Sequence, residues 1–373
     1  MKKALAAAAV LLALALCLTA ALASGGEAAD PLVSLSYLEG SFSQSAEASV
    51  DSRLDRSDAS IRSSIQQGLD TLESSVQAVT GQNYAPAASE ETLKEGDVLT
   101  GSTGLTVLPL GGELRLTLSF GAVVDATEGR EVPDQTVLAA NHRYIVAEDS
   151  LAYFTAVSPT AVLSYQGSYA FSLSGNTPDY YAIACALRDL DLFRGTGSGI
   201  GEGFDLHLAP TRAEGLVMFI RILGEEADAL ACTYTHPYTD VPGWMDRYVA
   251  WAYHHGYTNG VSPTKFGTAQ PITAVEYEEF LLRALGYSVA GVHDYTTSLE
   301  RALELGALTN GEYEMLKGQP FLRAHVAYVS YYTLDMVLSG SQQTLAQRLE
   351  SEGLFTASLL SAARDRVDSS RVS

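Results

Sequence analysis

The sequence predicts a multidomain α+β protein with an N-terminal amphipathic helix, a small antiparallel β sandwich or barrel, and an all-α C-terminal module. Three observations lead to this fold class. Apolar residues between 34 and 81 recur at steps of three, four and seven, which is the period of one helix face. Between 92 and 174 they alternate, as in half-buried strands. From 178 to 349 the helical pattern returns and repeats itself.

Charge and composition limit the classes of function. The 373 residues include 23 Lys and Arg against 44 Asp and Glu, a formal charge of −21. Such a chain lacks the general basic field with which proteins wrap nucleic acid or lie on anionic lipid. A polyanionic partner would have to be bound locally. The apolar fraction of 47% is sufficient for folded cores.

The first 23 residues have the pattern of a signal peptide. Lys2 and Lys3 precede an apolar run from 4 to 20, and the small residues around Ala21 and Ala23 form a cleavage site. We therefore expect an exported protein whose mature chain begins at Ser24. A lipoprotein modified at Cys17 and an uncleaved membrane anchor are the alternatives.

The segment 34–81 is predicted to be a helical stalk. Its apolar positions form a stripe that is interrupted at Gly68 and Ser75, and they are Leu54, Ile61, Ile65, Leu69, Leu72, Val76 and Val79. The pattern fits a stalk packed on its neighbours, which we favour, or a weak coiled coil through which the chain could self-associate. Residues 82–91, which contain Pro86, are typical of a linker.

The segment 92–174 is predicted to be an all-β module. Leu114, Leu116, Leu118 and Phe120 alternate with polar residues, and similar short runs follow, each bounded by Gly, Pro, Asn or Asp. Close-spaced strands without intervening helices indicate an antiparallel sandwich or barrel. Its most noticeable polar residues, His142, Arg143 and Glu148, are interpreted as a polar loop and a solvated strand end, because no pair of nucleophile and base accompanies them.

The C-terminal module contains an internal repeat. Each unit has a first helix, a loop, a Pro-led turn and a second helix that ends at Gly, and Thr211 and Thr273 lie at the same position of units one and two. A third, eroded unit follows. The units span about 178–229, 236–290 and 294–340, and stacking three of them would close a core that one unit could not. A composition break near 176 predicts that this module and the β module fold separately.

Two motifs at the second helices are capping boxes. Thr211 with Glu214 and Thr273 with Glu276 have the spacing at which each side chain bonds the other's backbone amide. Arg212 is not explained by capping, since a cation at a helix start is unfavourable by up to about 1 kcal/mol. It predicts either a carboxylate or phosphate receptor or a salt bridge between repeats.

These motifs carry a resemblance to S-layer homology repeats. The residues concerned are the PTRAE stretch at 210–214, the segment 238–242 followed by Trp244, and the segment 257–260. The resemblance implies a three-repeat helical spindle that holds exported proteins to acidic, often pyruvylated, secondary polysaccharides of Gram-positive-type cell walls. It assigns the ligand-binding Arg to Arg212 and Arg323, whereas Ala274 replaces this Arg in the second repeat.

Other candidate residues have two interpretations each. Trp244 could stack on a sugar or lie in the core, whereas Trp251 is expected in the core. Asp240 could contact ligand, although a structural cap before Pro242 is the better interpretation.

Cysteine, histidine and glycine patterns predict no cofactor or metal. The chain contains neither a CxxC nor an HExxH spacing, and the loop 195–203 lacks the spacing of a phosphate-binding motif. Cys185 and Cys232 could form a disulfide, although both are more typical of small buried apolar residues.

The function that follows is noncovalent anchoring at the cell wall or cell surface by a protein that is not an enzyme, with acidic cell-wall polysaccharide as partner and no nucleic acid. Two alternatives remain. The β module could be a wall-targeted glycan-active enzyme, or the protein could assemble a surface layer through its stalk.

Overall fold

The computed structural model describes residues 40, 42–80, 83–175, 178–289, 293–318 and 320–373, with the side chains of 68–80 left aside. The predicted signal peptide therefore lies outside the described residues. The chain divides into two compact units, Met1–Thr80 and Gly81–Ser373. Within the described residues, no helix has both the length and the apolarity of a membrane span.

The described part of the first unit, from residue 40 onwards, contains one long helix, α1 (Ser43–Thr80). Its described side chains, up to residue 67, are all exposed, including Val50, Leu54, Ile61 and Ile65. Packing of the stripe on its neighbours, the interpretation favoured from the sequence, stays a prediction, since the helix does not cover these side chains itself. The part of the predicted stalk before residue 40 lies outside the described residues.

The second unit begins with a curled antiparallel sheet of nine strands. Its strands are β1 (Asn83–Lys94), β2 (Val98–Ser102), β3 (Thr106–Gly111), β4 (Leu114–Phe120), β5 (Val123–Asp125), β6 (Arg130–Glu131), β7 (Tyr144–Val146), β8 (Leu151–Ala156) and β9 (Thr160–Ser172). The order is β4-β8-β2-β9-β3-β7-β5-β6, and β1 also pairs with β9. This confirms the predicted antiparallel architecture in the form of a half-barrel.

Alternation produces the core of the sheet. In β4, Leu114 and Leu116 are buried while Arg115 is exposed, as the period of two predicts. The predicted linker, 82–91, is instead largely part of strand β1. In this strand, Ser89–Lys94 pair with Thr160–Tyr165 of β9. Only Ala85 and Leu93 of β1 are buried, so its strand conformation depends on β9 and not on an apolar pattern.

The remainder of the second unit is helical. Its helices are α2 (Tyr180–Asp189), α3 (Arg212–Ile222), α4 (Glu226–Ala231), α5 (Asp246–His254), α6 (Ala274–Ala284), α7 (Ser298–Glu304), α8 (Asn310–Gly318), α9 (Arg323–Thr333), α10 (Leu345–Ser351) and α11 (Ala357–Asp365), with 3-10 turns at Ile200–Gly203 and Tyr295–Thr297. Helices α3, α6 and α9 contact one another in pairs. Phe219 on α3, Tyr277 on α6 and Tyr328 on α9 lie in the core, and each is 0% exposed.

The sheet and the helices pack together in this unit. The amide of Gly201 donates to Oε1 of Glu90 on β1 at 3.1 Å. Gly111 at the end of β3 lies so close to His207 that a Cβ atom there would approach the imidazole to 2.5 Å. Separate folding of the two parts, predicted from the composition break, remains a prediction that these contacts oppose.

The helical part continues beyond the predicted end of the repeats. Helix α10 begins with a capping box formed by Thr344 and Gln347, and α11 packs on α2. The last residues return to the core, where Arg371 binds the fully buried Glu312 at 2.6 Å. These C-terminal elements were not anticipated from the sequence.

Candidate ligand-binding site

The starts of α3 and α6 are held by the predicted capping boxes. The amide of Thr211 donates to Glu214 at 2.7 Å, and the amide of Thr273 donates to Glu276 at 3.0 Å. In return, each Thr hydroxyl accepts from the Glu amide. Both predictions are confirmed, because the motif is local and its geometry follows from the helix start itself.

Arg212 is the first residue of α3 and points towards α6. Only 6% of its surface is exposed. Its Nη1 donates to Oε1 of Glu276 at 2.7 Å, so the structure shows the salt bridge between repeats that the sequence allowed as one interpretation. The guanidinium also lies over the rings of Phe266 and Phe280, at 5.2 and 5.4 Å from the ring centres.

The Arg212 guanidinium is only partly satisfied. Its Nε atom is buried and has no hydrogen-bond partner among the described residues. Burial lowers the pKa of Arg212 and Glu276 opposes this shift, but the group stays a cation in any ordinary buffer. An unpaired buried donor on a cation is costly, and it favours an anionic ligand or a water molecule beside it.

Backbone hydrogen bonds fix the position of this helix start. The amide of Arg212 donates to the carbonyl of Gln270 at 2.7 Å, and the amide of Arg323 donates to that of Leu208 at 2.8 Å. The first residues of α3 and α9 are thus each held by a loop carbonyl. For α3 this loop follows the helix in the chain, and for α9 it precedes the helix. This correspondence is structural support for the relation between the first and third units.

Asp240 shapes the loop that carries Gln270. Its two carboxylate oxygens accept from the amides of Phe266 and Gly267, each at 2.8 Å. Burial favours the neutral form, but these amides hold the pKa of the Asp240 carboxyl below its usual value. With both oxygens occupied, Asp240 has the geometry of a structural residue.

A cavity of about 340 Å³ opens beside Arg212. Its wall is formed by Arg212, Asn259, Gly260, Val261, Glu276, Glu279, Phe280, Arg283 and Tyr295. Arg283 donates to Glu279 at 2.7 Å and to the Tyr257 carbonyl at 3.0 Å. Tyr295 is 51% exposed and stands at the opening. Two guanidinium groups, two carboxylates and two aromatic rings therefore surround one space between α3 and α6.

The other predicted site residues lie elsewhere. Arg323 is 4% exposed and donates to the carbonyls of Phe204 at 2.8 Å and Arg194 at 3.4 Å, so its guanidinium is bound to the protein's own backbone. Trp244 is 62% exposed and does not line the cavity, whereas Trp251 is 4% exposed and belongs to the core. The structure therefore brings none of these residues to Arg212.

The third unit replaces the capping Glu by His325. Its Nδ1 accepts from the amide of Leu322 at 3.0 Å. Burial lowers the pKa of His325 to about 4, which keeps the imidazole neutral and able to accept. Sequence reasoning missed this cap, although His stands at the position that Glu214 and Glu276 occupy in the other units.

Residues that could hold a cation meet in the sheet. Among the described residues, Asp125, Glu128 and His142 form the group whose ligand atoms lie within 4.8 Å of one another. However, Asp125 is already bonded to the His142 imidazole at 2.8 Å and to the amides of Thr127 and Glu128, while Arg130 binds Glu128. The cluster is fully engaged in holding the turn after β5.

The two described cysteines are free thiols. Cys185 is buried, and the half-buried Cys232 approaches the Arg247 carbonyl at 3.4 Å through its sulfur. Cys185 thus has the environment of a small apolar residue, as favoured from the sequence.

The helical part of the second unit thus carries a candidate ligand site between α3 and α6. Residues 237–273 match the sequence model of the S-layer homology domain. The chain is thus an S-layer homology domain-containing protein, as predicted, and this domain indicates association with the cell wall or cell surface. The match lies within the second predicted repeat, 236–290, and ends just before α6. No curated protein matches the chain.

Solved structures show only weak similarity. Coconut allergen cocosin has 18% identity and a TM-score of 0.17 over 27% of this chain and 28% of that one. Recombinant pro-11S globulin of pumpkin has 12% identity and a TM-score of 0.16, covering 27% of each chain. NovW, a 4-keto-6-deoxy sugar epimerase of Streptomyces spheroides, has 20% identity and a TM-score of 0.14 over 27% of this chain and 52% of its own. The chain spans less than two thirds of each, and scores this low support no functional argument.

Proposed function

We propose that this protein is attached noncovalently to the cell wall by binding an acidic secondary polysaccharide at the cavity beside Arg212. In this proposal the three units form a spindle of S-layer homology repeats, the protein is exported, and its role is binding and not catalysis. The observation that carries the proposal is the buried, incompletely bonded guanidinium of Arg212 on the wall of an open cavity, to which the matched segment 237–273 contributes Asn259, Gly260 and Val261.

The chemistry of the cavity fits an acidic sugar. A carboxylate, such as that of a pyruvyl group, can accept from the edge of the guanidinium that Glu276 leaves unused. Tyr295 and Phe280 offer faces on which the apolar side of a sugar ring can pack. Asn259 adds an amide at the rim. Because the two Arg charges are balanced by Glu276 and Glu279, selectivity must come from directed hydrogen bonds and not from net charge.

A substitution at Glu276 tests the proposal, because its two carboxylate oxygens have different partners. Its Oε1 holds Nη1 of Arg212, and its Oε2 caps α6. Glu276→Gln keeps an oxygen for the cap but removes the charge that competes with a ligand carboxylate. We expect this variant to bind the polysaccharide about 3- to 10-fold more tightly, as calorimetry with purified wall polymer would measure.

Arg212→Ala should weaken binding by about 1.5–3 kcal/mol, the range for a hydrogen bond to a charged group. Arg212→Lys should also be impaired, since an ammonium group does not reproduce the planar fork. The matched control is Arg221→Ala, which removes an Arg from the same helix that pairs with Glu226 and lines no part of this cavity.

Thermal melts separate binding from folding. Loss of affinity in the Arg212 variants but not in Arg221→Ala supports the site. Unchanged affinity in Glu276→Gln and Arg212→Ala, with lowered melting temperatures, would make the pair purely structural. Retention of the wild-type protein on walls stripped of the secondary polymer would contradict the choice of ligand.

A further inference from the structure

The α1 helix carries an apolar stripe that the described residues of its own unit leave exposed. Between Ser43 and residue 67, Val50, Leu54, Ile61 and Ile65 are each more than half exposed, at 54–59%. Four large aliphatic side chains in a row on one helix face are unusual for an isolated helix in water. A 38-residue helix of this kind, about 57 Å long, needs a partner along its length.

The spacing of the stripe identifies the kind of partner. The positions 50, 54, 57, 61 and 65 continue in the sequence at 68, 72, 76 and 79, which is a repeat of steps four, three and four. This 11-residue period places the apolar residues Val50, Leu54, Ile61, Ile65, Leu72, Val76 and Val79 on one line, which the small residues Ser57 and Gly68 interrupt, whereas Leu69 lies to one side of it. A heptad started at the same Val would instead select Ser64, Thr71 and Ser75. An 11-residue repeat is the pattern of a right-handed coiled coil.

The charges beside the stripe select a second, parallel copy. With 11 residues in three turns, Arg53 lies about 65° to one side of the stripe, and Glu47 and Asp58 lie about 65° to the other. In a parallel pair of identical helices, opposite flanks face each other, so Arg53 meets Asp58 of the second copy. In an antiparallel pair each flank would face the same flank of the second copy, which places acidic residues against acidic residues.

We propose that α1 forms a parallel, in-register, right-handed coiled coil with α1 of a second copy of this chain. Ser57, a small residue on the described part of the stripe, lets the two helix backbones approach closely at that layer. Arg53 and Asp58 fix direction and register. The assembly pairs two copies through a surface far in sequence from Arg212, and it does not depend on the wall-binding proposal.

Mass measurement tests the assembly. Sedimentation equilibrium of the exported chain at micromolar concentration should give twice the mass of one chain. Ile61→Asp with Ile65→Asp should shift it to a monomer. The matched control, Ala48→Asp with Ala59→Asp, adds the same two charges about 164° away from the stripe and should leave the dimer intact. A monomeric wild type, or equal effects of both pairs, would overturn the proposal.

Exchange of the flanking charges and cysteine cross-linking test the direction of the two helices. Arg53→Asp and Asp58→Arg should each raise the dissociation constant of the dimer about 10-fold, and the double exchange should restore it. Val50→Cys should cross-link two copies under mild oxidation, whereas Ala48→Cys and the unmodified chain should not. In an antiparallel pair residue 50 would lie opposite the far end of the helix, so absence of the cross-link in a dimer would overturn the proposed direction.

Discussion

Glu278 lies in an environment that strongly opposes its ordinary chemistry. It lies on α6 with 3% exposure, near the carboxylate of Glu312 and the guanidinium of Arg371. Burial raises the pKa of the Glu278 carboxyl to about 8, Glu312 adds to this effect, and Arg371 reduces it. Glu278 is therefore a proton-bearing acid at neutral pH.

This residue predicts a stability that falls as the solution becomes alkaline. The folded state keeps a proton at Glu278 that the unfolded chain releases above about pH 4.5, so the contribution is complete below this pH and is lost as pH rises through about 8. Glu278→Gln should remove this loss, on the order of a few kcal/mol at pH 8.5. Chemical unfolding at pH 5 and pH 8.5 measures it, with the exposed Glu304→Gln as control. An equal dependence on pH in wild type and Glu278→Gln would contradict the prediction.

At the residue scale, local motifs were predictable and distant partners were not. The capping pairs Thr211–Glu214 and Thr273–Glu276 lie three positions apart, so a helix start determines their geometry. The Arg212 salt bridge joins residues 64 positions apart. Its partner Glu276 was assigned to capping alone, because one sequence does not show that the two carboxylate oxygens serve two neighbours.

At the scale of elements, the C-terminal segment stabilises a buried charge. Glu312 at the start of α8 is fully buried and accepts from Arg371, from the Tyr328 hydroxyl at 2.8 Å and from the Thr309 amide at 2.8 Å. The guanidinium of Arg371 also lies over the ring of Tyr332. The C-terminal tail thus supplies the cation that pairs with a buried carboxylate.

Arg371→Met should destabilise the protein by about 3 kcal/mol, because it leaves the buried Glu312 carboxylate without its cation. Arg366→Met is the control, since Arg366 pairs with Asp189 in a partly exposed position and its loss should cost less than about 1 kcal/mol. Denaturant melts of both variants provide the comparison. Similar small losses would show that Glu312 is neutral in the fold.

Two elements show why the sequence could not reveal the whole fold. β1 has the sequence NYAPAASEETLK, which lacks apolar alternation, and its conformation comes from hydrogen bonds to β9. The stretch Leu345–Ser351 is too short for a clear helical period, although its Thr344 cap is a recognisable signal. By contrast, α3, α6 and β4 were predictable because their own residues carry the period.

At the scale of the whole molecule, sheet and helices are expected to unfold together. The contact between Gly111 and His207 joins β3 to the loop before α3, and Glu90 binds the loop at Gly201. Gly111→Ala should lower stability by about 1–3 kcal/mol, since the added methyl group must displace the imidazole.

Calorimetry measures this effect as a lower melting temperature of a single transition for residues 83–373. Gly175→Ala is the control, because a Cβ atom at Gly175 meets nothing within 4 Å. Two separate transitions, with only the first shifted in Gly111→Ala, would show that the two parts are independent.

The pairing of β1 with β9 also determines how the protein responds to tension. Asn83 at the start of β1 pairs with Tyr169 near the end of β9, so the chain enters β1 and leaves β9 at the same end of the strand pair. A pull on the chain at these two points would therefore open the backbone hydrogen bonds one after another, instead of shearing them all at once. The ladder is interrupted between Ala85 and Ser89, so the first three residues can peel away before the longer run at 89–94 is loaded.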